Sequence, residues 1–308
     1  MLVNRMADRI SLETACRVAM GVETELLDSL RESSPILERM TFAAGQVMRR
    51  VQGGPLWKYL PLPSNWKLRR VIADQVGFLD EILNSRDRGE GSEEDLMGLL
   101  FKAYQHGDRN ELKDHMQNFL TAGQETTAAT LSWLLYYLAE NLDLQERVAE
   151  EVAIAFGSRD ELDAAALKEL PLLHSCILET LRLRPAAPYL MREALVDAGV
   201  GGYRVEKGSF VMLLTGMIHR DPDYWGVDAE VFKPARFEGG APSEGFLPFG
   251  LGPRKCIGEG MAMYELAVVT AHLLKHYVFS PIPDQVVAPY VNIAWGFKYG
   301  LRLGLTPR

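Results

Sequence analysis

Cys256 lies in the stretch Phe249-Gly250-Leu251-Gly252-Pro253-Arg254-Lys255-Cys256-Ile257-Gly258. Its glycines and proline predict a loop. The apolar sequence that follows predicts a helix from about Ile257 to Tyr277. A cysteine at a helix start faces free backbone N–H groups and the positive end of the helix dipole, and both favour the thiolate. Gly250, Gly252 and Gly258 admit positive φ and let a flat ligand approach the backbone. Arg254 is close enough in sequence to hold a carboxylate of that ligand. A thiolate, a flat apolar seat and an anion-binding arginine are what an iron porphyrin held by a single cysteine requires. The competing reading is a buried core thiol in a glycine-rich turn.

A second chemical cluster interrupts a long predicted helix, from about Glu111 to Glu140. Leu112, Met116, Phe119, Leu120, Gly123, Thr127, Leu131, Leu134 and Leu138 mark its buried stripe. Its middle, Thr121-Ala122-Gly123-Gln124-Glu125-Thr126-Thr127, puts glycine, an acid and hydroxyls where helix propensity disfavours them, and such inconsistencies mark functional sites. Ala122 and Gly123 leave room against the backbone. Thr126 can bond the Ala122 carbonyl and open the helix slightly. Glu125 and Thr126 together form an acid–alcohol relay for protons. Close helix packing by small residues is the alternative. A third pair, Glu179 and Arg182, shares a face of a predicted helix over Leu170–Leu183 at i, i+3 spacing.

The pattern Phe-x-x-Gly-x-Arg-x-Cys-x-Gly, preceded by Phe246-Leu247-Pro248, resembles the haem-binding loop of the cytochrome P-450 family. Ala-Gly-x-Glu-Thr-Thr resembles that family's oxygen-binding groove. Glu-x-x-Arg within Glu-Thr-Leu-Arg-Leu-Arg-Pro occupies the family's position, and Pro234-Ala235-Arg236-Phe237 matches its Pro-x-Arg-Phe segment, with alanine where glutamate is frequent. The resemblance implies a mainly α fold with small β-sheets, one domain over 1–308, and haem b as cofactor. It implies Cys256 as the iron ligand, Arg254 and Arg192 on the propionates, and Phe249, Gly250, Gly258, Ala122 and Gly123 around the porphyrin. Glu125 and Thr126 would deliver protons. Glu179, Arg182 and Arg236 would brace the structure. Electrons would come from a separate ferredoxin, flavodoxin or reductase, since the chain carries no flavin or iron–sulfur pattern. The implied product is an oxidised apolar small molecule, made with O2. A non-catalytic haem-binding fragment is the alternative function. A peroxide-using enzyme fits less well, because peroxide brings its own oxygen and needs no Glu125–Thr126 relay.

Composition is consistent with this reading. The 308 residues are 47% hydrophobic and 24% charged, with net charge −8, which suits a globular protein and excludes a nucleic-acid binder. Cys16, Cys176 and Cys256 form no C-x-x-C pair, which argues against a zinc site or a disulfide framework and suits a reducing, cytoplasmic compartment. The longest clean apolar run, Trp133 to Ala139, is too short to span a bilayer, although peripheral contact or an upstream anchor stays open. By the same resemblance the chain lacks the family's N-terminal part: the early strands, a substrate-covering loop and a helix that contacts propionates. The expectation is a fragment whose haem is open on one side.

The remaining elements follow from periodicity. Two helices precede residue 50, the first ending at Gly21. Leu56 to Pro63 reads as a proline-punctuated loop, which the resemblance places over the substrate entrance and which is otherwise an ordinary connector. Leu68 to Leu83 is amphipathic. Ser92, with Asp95 three positions on, resembles a helix cap. After Pro185 the pattern turns to short strands, and the resemblance implies that Ala186 to Leu190 approach the haem face and line the substrate pocket. Tyr203–Val205 and Phe210–Leu214 read as one hairpin turning at Lys207-Gly208. His219 reads as structural, with propionate contact as the alternative. Tyr290 to Leu305 reads as terminal strands.

Overall fold

The computed structural model describes residues 2–24, 26–27, 34–53, 62–104, 108–242, 244–291 and 293–308. Ten helices are present among them: α1 (Val3–Met20), α2 (Pro35–Gly53), α3 (Pro63–Asp87), α4 (Leu96–Ala103), α5 (Arg109–Glu140), α6 (Leu142–Phe156), α7 (Pro171–Leu183), α8 (Thr215–Ile218), α9 (Pro222–Trp225) and α10 (Glu259–His276). Eight strands accompany them: β1 (Leu190–Glu193), β2 (Ala198–Val200), β3 (Tyr203–Val205), β4 (Phe210–Leu213), β5 (Tyr277–Pro281), β6 (Pro289–Val291), β7 (Trp295–Phe297) and β8 (Leu303–Pro307). All pair as antiparallel two-stranded ladders. The mainly α architecture with small sheets is the one expected. Leu56 to Pro61 lie outside the described residues.

Local chemistry explains the helix ends. Gly21 closes α1 at φ 63°, a conformation that costs glycine nothing, and its N–H donates to the Arg17 carbonyl. Pro63 opens α3, where a missing N–H is harmless. Asp95 caps α4 by accepting the Gly98 N–H at 2.6 Å. Ser92 is therefore not the cap; its hydroxyl accepts from Glu94 N–H within the preceding turn. The Glu151 carboxylate accepts the Leu172 and Leu173 N–H groups at 2.7 and 2.9 Å, so an anion from α6 satisfies the start of α7.

Two apolar cores share α1 and α5. One gathers Leu131, Leu134 and Leu138 of α5 with Val148 and Val152 of α6, Ile177 and Leu181 of α7, Leu266 and Leu274 of α10, and Phe279 of β5. The other gathers Leu112, Met116 and Leu120 of α5 with Leu12 and Met20 of α1, Leu79 and Leu83 of α3, and Met97 of α4. The irregular stretch Ala122–Thr126 falls between the α5 residues of the two cores. Core packing alone thus does not dictate its side chains.

Two strand expectations are corrected. Tyr203–Val205 pairs with Ala198–Val200 across Gly201 and Gly202, both at positive φ, and Phe210–Leu213 pairs with Leu190–Glu193. Two glycines make a tighter hairpin turn than Lys207-Gly208, so β3 turns back on β2. Residues 186–189 form no strand; the strand begins at Leu190.

Candidate active site

The Cys256 loop is anchored on its inner side. Phe249 packs against the larger core, and the Cys256 N–H donates to the Phe249 carbonyl at 2.9 Å. Gly250 and Gly252 hold φ at 72° and 71°, which an L side chain rarely adopts. Gly258 does not: its φ is −86°, so that glycine is not required by backbone conformation. A Cβ there would stand 3.9 Å from the Cys256 sulfur, in ordinary contact. The helix begins at Glu259, not Ile257, which puts the cysteine in the turn just ahead of α10.

The outer side of the loop is open. Cys256 and Arg254 are exposed, Leu251 is 62% and Ile257 88% exposed. Leu190 of β1 approaches within 3.5 Å of where a Gly250 Cβ would be, so β1 borders the loop. Arg192 on the same strand is half-buried, with its Nη1 donating to the Met191 carbonyl at 2.9 Å. An exposed thiol beside glycine backbone and bare apolar side chains, with arginines on the loop and on the bordering strand, fits a flat apolar anion such as haem.

In α5 the Thr126 hydroxyl donates to the Ala122 carbonyl at 2.7 Å, as its position predicts. Thr130 and Ser132 repeat the pattern on Thr126 and Ala128. Such bonds loosen the helix. Ala122 is exposed, but the Cβ direction of Gly123 meets the Ala15 methyl of α1 at 3.5 Å. Gly123 thus lies where α1 packs on α5, in an ordinary contact that an alanine methyl could also make. Glu125 is half-buried, and its Oε1 accepts the Ala294 N–H at 3.4 Å. Trp133 positions that contact: its indole N–H donates to the Trp295 carbonyl at 2.6 Å and its ring stacks on Phe297 at 3.9 Å.

Glu179 and Arg182 are both fully buried and doubly bonded, Nε to Oε2 at 2.7 Å and Nη2 to Oε1 at 2.8 Å. Arg236 approaches Glu179 at 3.5 Å, donates to the carbonyls of Trp225 and Asp228, and pairs with the Asp228 carboxylate at 2.5 Å. The three expected residues do meet. Sequence missed the rest of this knot. Arg182 also donates to the carbonyls of His219, Ala229 and Val231, and its guanidinium lies 4.9 Å from the Trp225 ring. His219 is buried and accepts the Leu247 N–H through Nε2 at 2.7 Å. Burial lowers its pKa to about 4, so the ring is neutral and structural.

A model of the family described as Cytochrome P450 matches residues 3–295. The chain belongs to the cytochrome P450 family. It is 35% identical over 262 residues to cytochrome P450 714C3 of Oryza sativa subsp. japonica, covering 82% of this chain and 51% of that one. It is 32% identical over 267 residues to secologanin synthase 2 of Catharanthus roseus, covering 80% and 50%. Cytochrome P450 72A15 of Arabidopsis thaliana is 31% identical over 319 aligned positions, covering 98% and 60%. The chain thus spans about half to three fifths of the length of these relatives. Members of the cytochrome P450 family bind haem b. No helix among the described residues is long and apolar enough to cross a membrane.

Proposed function

We propose that this P450 chain is the haem-bearing part of a monooxygenase that inserts one atom of O2 into an apolar small molecule. The single observation that carries this is Cys256, exposed on a glycine-held loop ahead of α10. Bound there, haem supplies oxygen activation, favoured by electron donation from a thiolate ligand. Cys256 Sγ would hold the iron, and Arg254 and Arg192 would pair with the propionates. Phe249 and Gly250 keep the loop flat enough to seat the ring, and Gly258 keeps the space beside the sulfur clear. Ala122, exposed on α5, would leave room beside the ring. Thr126 Oγ1, already donating to Ala122, keeps its lone pairs for an incoming proton and can pass one on. The Glu125 carboxylate, turned toward Ala294, takes protons from solvent and returns them to the Thr126 side of the helix. Glu179, Arg182 and Arg236 hold the layer beneath. Electrons come from a separate ferredoxin, flavodoxin or reductase.

The test is the carbon monoxide spectrum of the reduced, haem-loaded chain. Thiolate ligation gives a far red-shifted band, and Cys256→Ser is expected to abolish it. A Cys256→Ser protein with an unchanged band refutes the assignment.

A further inference from the structure

Behind Glu125 lies a cavity of about 270 Å³ bounded by α1, α2, α5 and the β6–β7 hairpin. That volume is room for several waters, and Asn4, Asp8, Thr41, Gln124, Glu125 and Ser132 among its lining residues offer them polar partners. Asp8 of α1 and Glu125 of α5 both line it. Gln124 Nε2 donates to Asp8 Oδ1 at 3.0 Å, which leaves Oδ2 to carry a proton. Nothing in the family motifs selects Asp8. The packing of α1 on α5 puts it there.

We propose that Asp8 is a positioning residue that supplies protons to Glu125 through the water of this cavity. This rests on the reading of Glu125 and Thr126 as the proton relay. In each transfer the Oδ2–H bond of Asp8 breaks, an O–H bond forms on the Glu125 carboxylate by way of cavity water, and bulk water reprotonates Asp8. The other titratable groups lining the cavity are Tyr290 from β6 and Lys298 beyond β7; Asn4, Thr41 and Ser132 are neutral. Burial, with the Glu125 charge adding to it, raises Asp8 from the ordinary aspartate value to about 7. A carboxyl poised there both gives and regains protons readily near neutral pH.

Two measurements test this. Carbon-13 carboxyl NMR on the chain should find Asp8 titrating near pH 7, and Glu125→Gln should lower that midpoint by roughly half a unit or more. An Asp8 midpoint at the ordinary value, or one unmoved by Glu125→Gln, overturns the proposal without any haem bound. The second measurement is oxygen consumption by the haem-loaded chain, with electrons from a photoreductant so that no partner or substrate is needed. The wild-type rate should fall as pH rises through about 7. Asp8→Asn should lose that inflection and Asp8→Glu should keep it. An inflection that survives in Asp8→Asn refutes the Asp8 assignment alone, whereas a Glu125→Gln rate equal to wild type at every pH sinks the relay reading and the proposal with it.

Discussion

Replacing Arg182 with methionine keeps an unbranched side chain and removes the guanidinium. All five of its N–H donors are engaged: two with Glu179, and one each with the carbonyls of His219, Ala229 and Val231. In the variant Glu179 keeps the Lys233 N–H at 2.8 Å and Arg236 at 3.5 Å. Deleting one partner of a buried ion pair costs about 3–5 kcal/mol, because the other charge stays buried. Each stranded carbonyl adds about 1–3 kcal/mol unless water reaches it. A loss of at least about 5 kcal/mol follows, against a typical domain stability of about 5–15 kcal/mol. Urea unfolding followed by circular dichroism measures it. Arg182→Lys should lose less, since its ammonium restores the charge but offers only three donors. Adding Glu179→Gln to Arg182→Met should recover part of the loss, because it removes the orphaned charge. A single Arg182→Met variant within about 1 kcal/mol of wild type would show that the knot is not what holds α7 to the following loops.

The buried Glu265 of α10 accepts the Ser11 hydroxyl at 2.6 Å, and burial raises its pKa from 4.5 to about 7. A carboxyl raised on folding is most favourable when protonated, so its contribution is full below pH 4.5 and lost as pH rises through about 7. Glu265→Gln should therefore remove roughly 3 kcal/mol of the stability lost between pH 5 and 8, read by denaturation at each pH; an identical pH dependence in the variant contradicts the burial argument. Asp8 titrates in the same window, so the difference between variant and wild type is the quantity to compare. Thr126→Ala should raise the peroxide released per O2 consumed by the haem-loaded chain, on the order of tenfold, with Thr126→Ser restoring wild-type behaviour; an unchanged yield removes Thr126 from the relay.

Motifs located the thiol, the acid–alcohol pair and the buried glutamate–arginine pair, because each is local in sequence and its chemistry constrains the residue type. The long helices were legible for the same reason. α5 was expected from Glu111 to Glu140 and runs Arg109–Glu140, since a periodic apolar stripe declares itself. Strand partners were not. In sequence β3 and β4 read as mates, yet each pairs with another strand, since pairing depends on which chain segments tertiary packing brings together.

By itself the sequence determined the family, the helical class and the side chains that could do chemistry. Only the tertiary structure decided which residues surround them. It turned Gly123 onto Ala15, threaded Arg182 through three carbonyls from loops far along the chain, and brought Asp8 to the cavity that Glu125 lines. These are contacts between segments distant in sequence, set by how whole helices pack, and no short pattern encodes them.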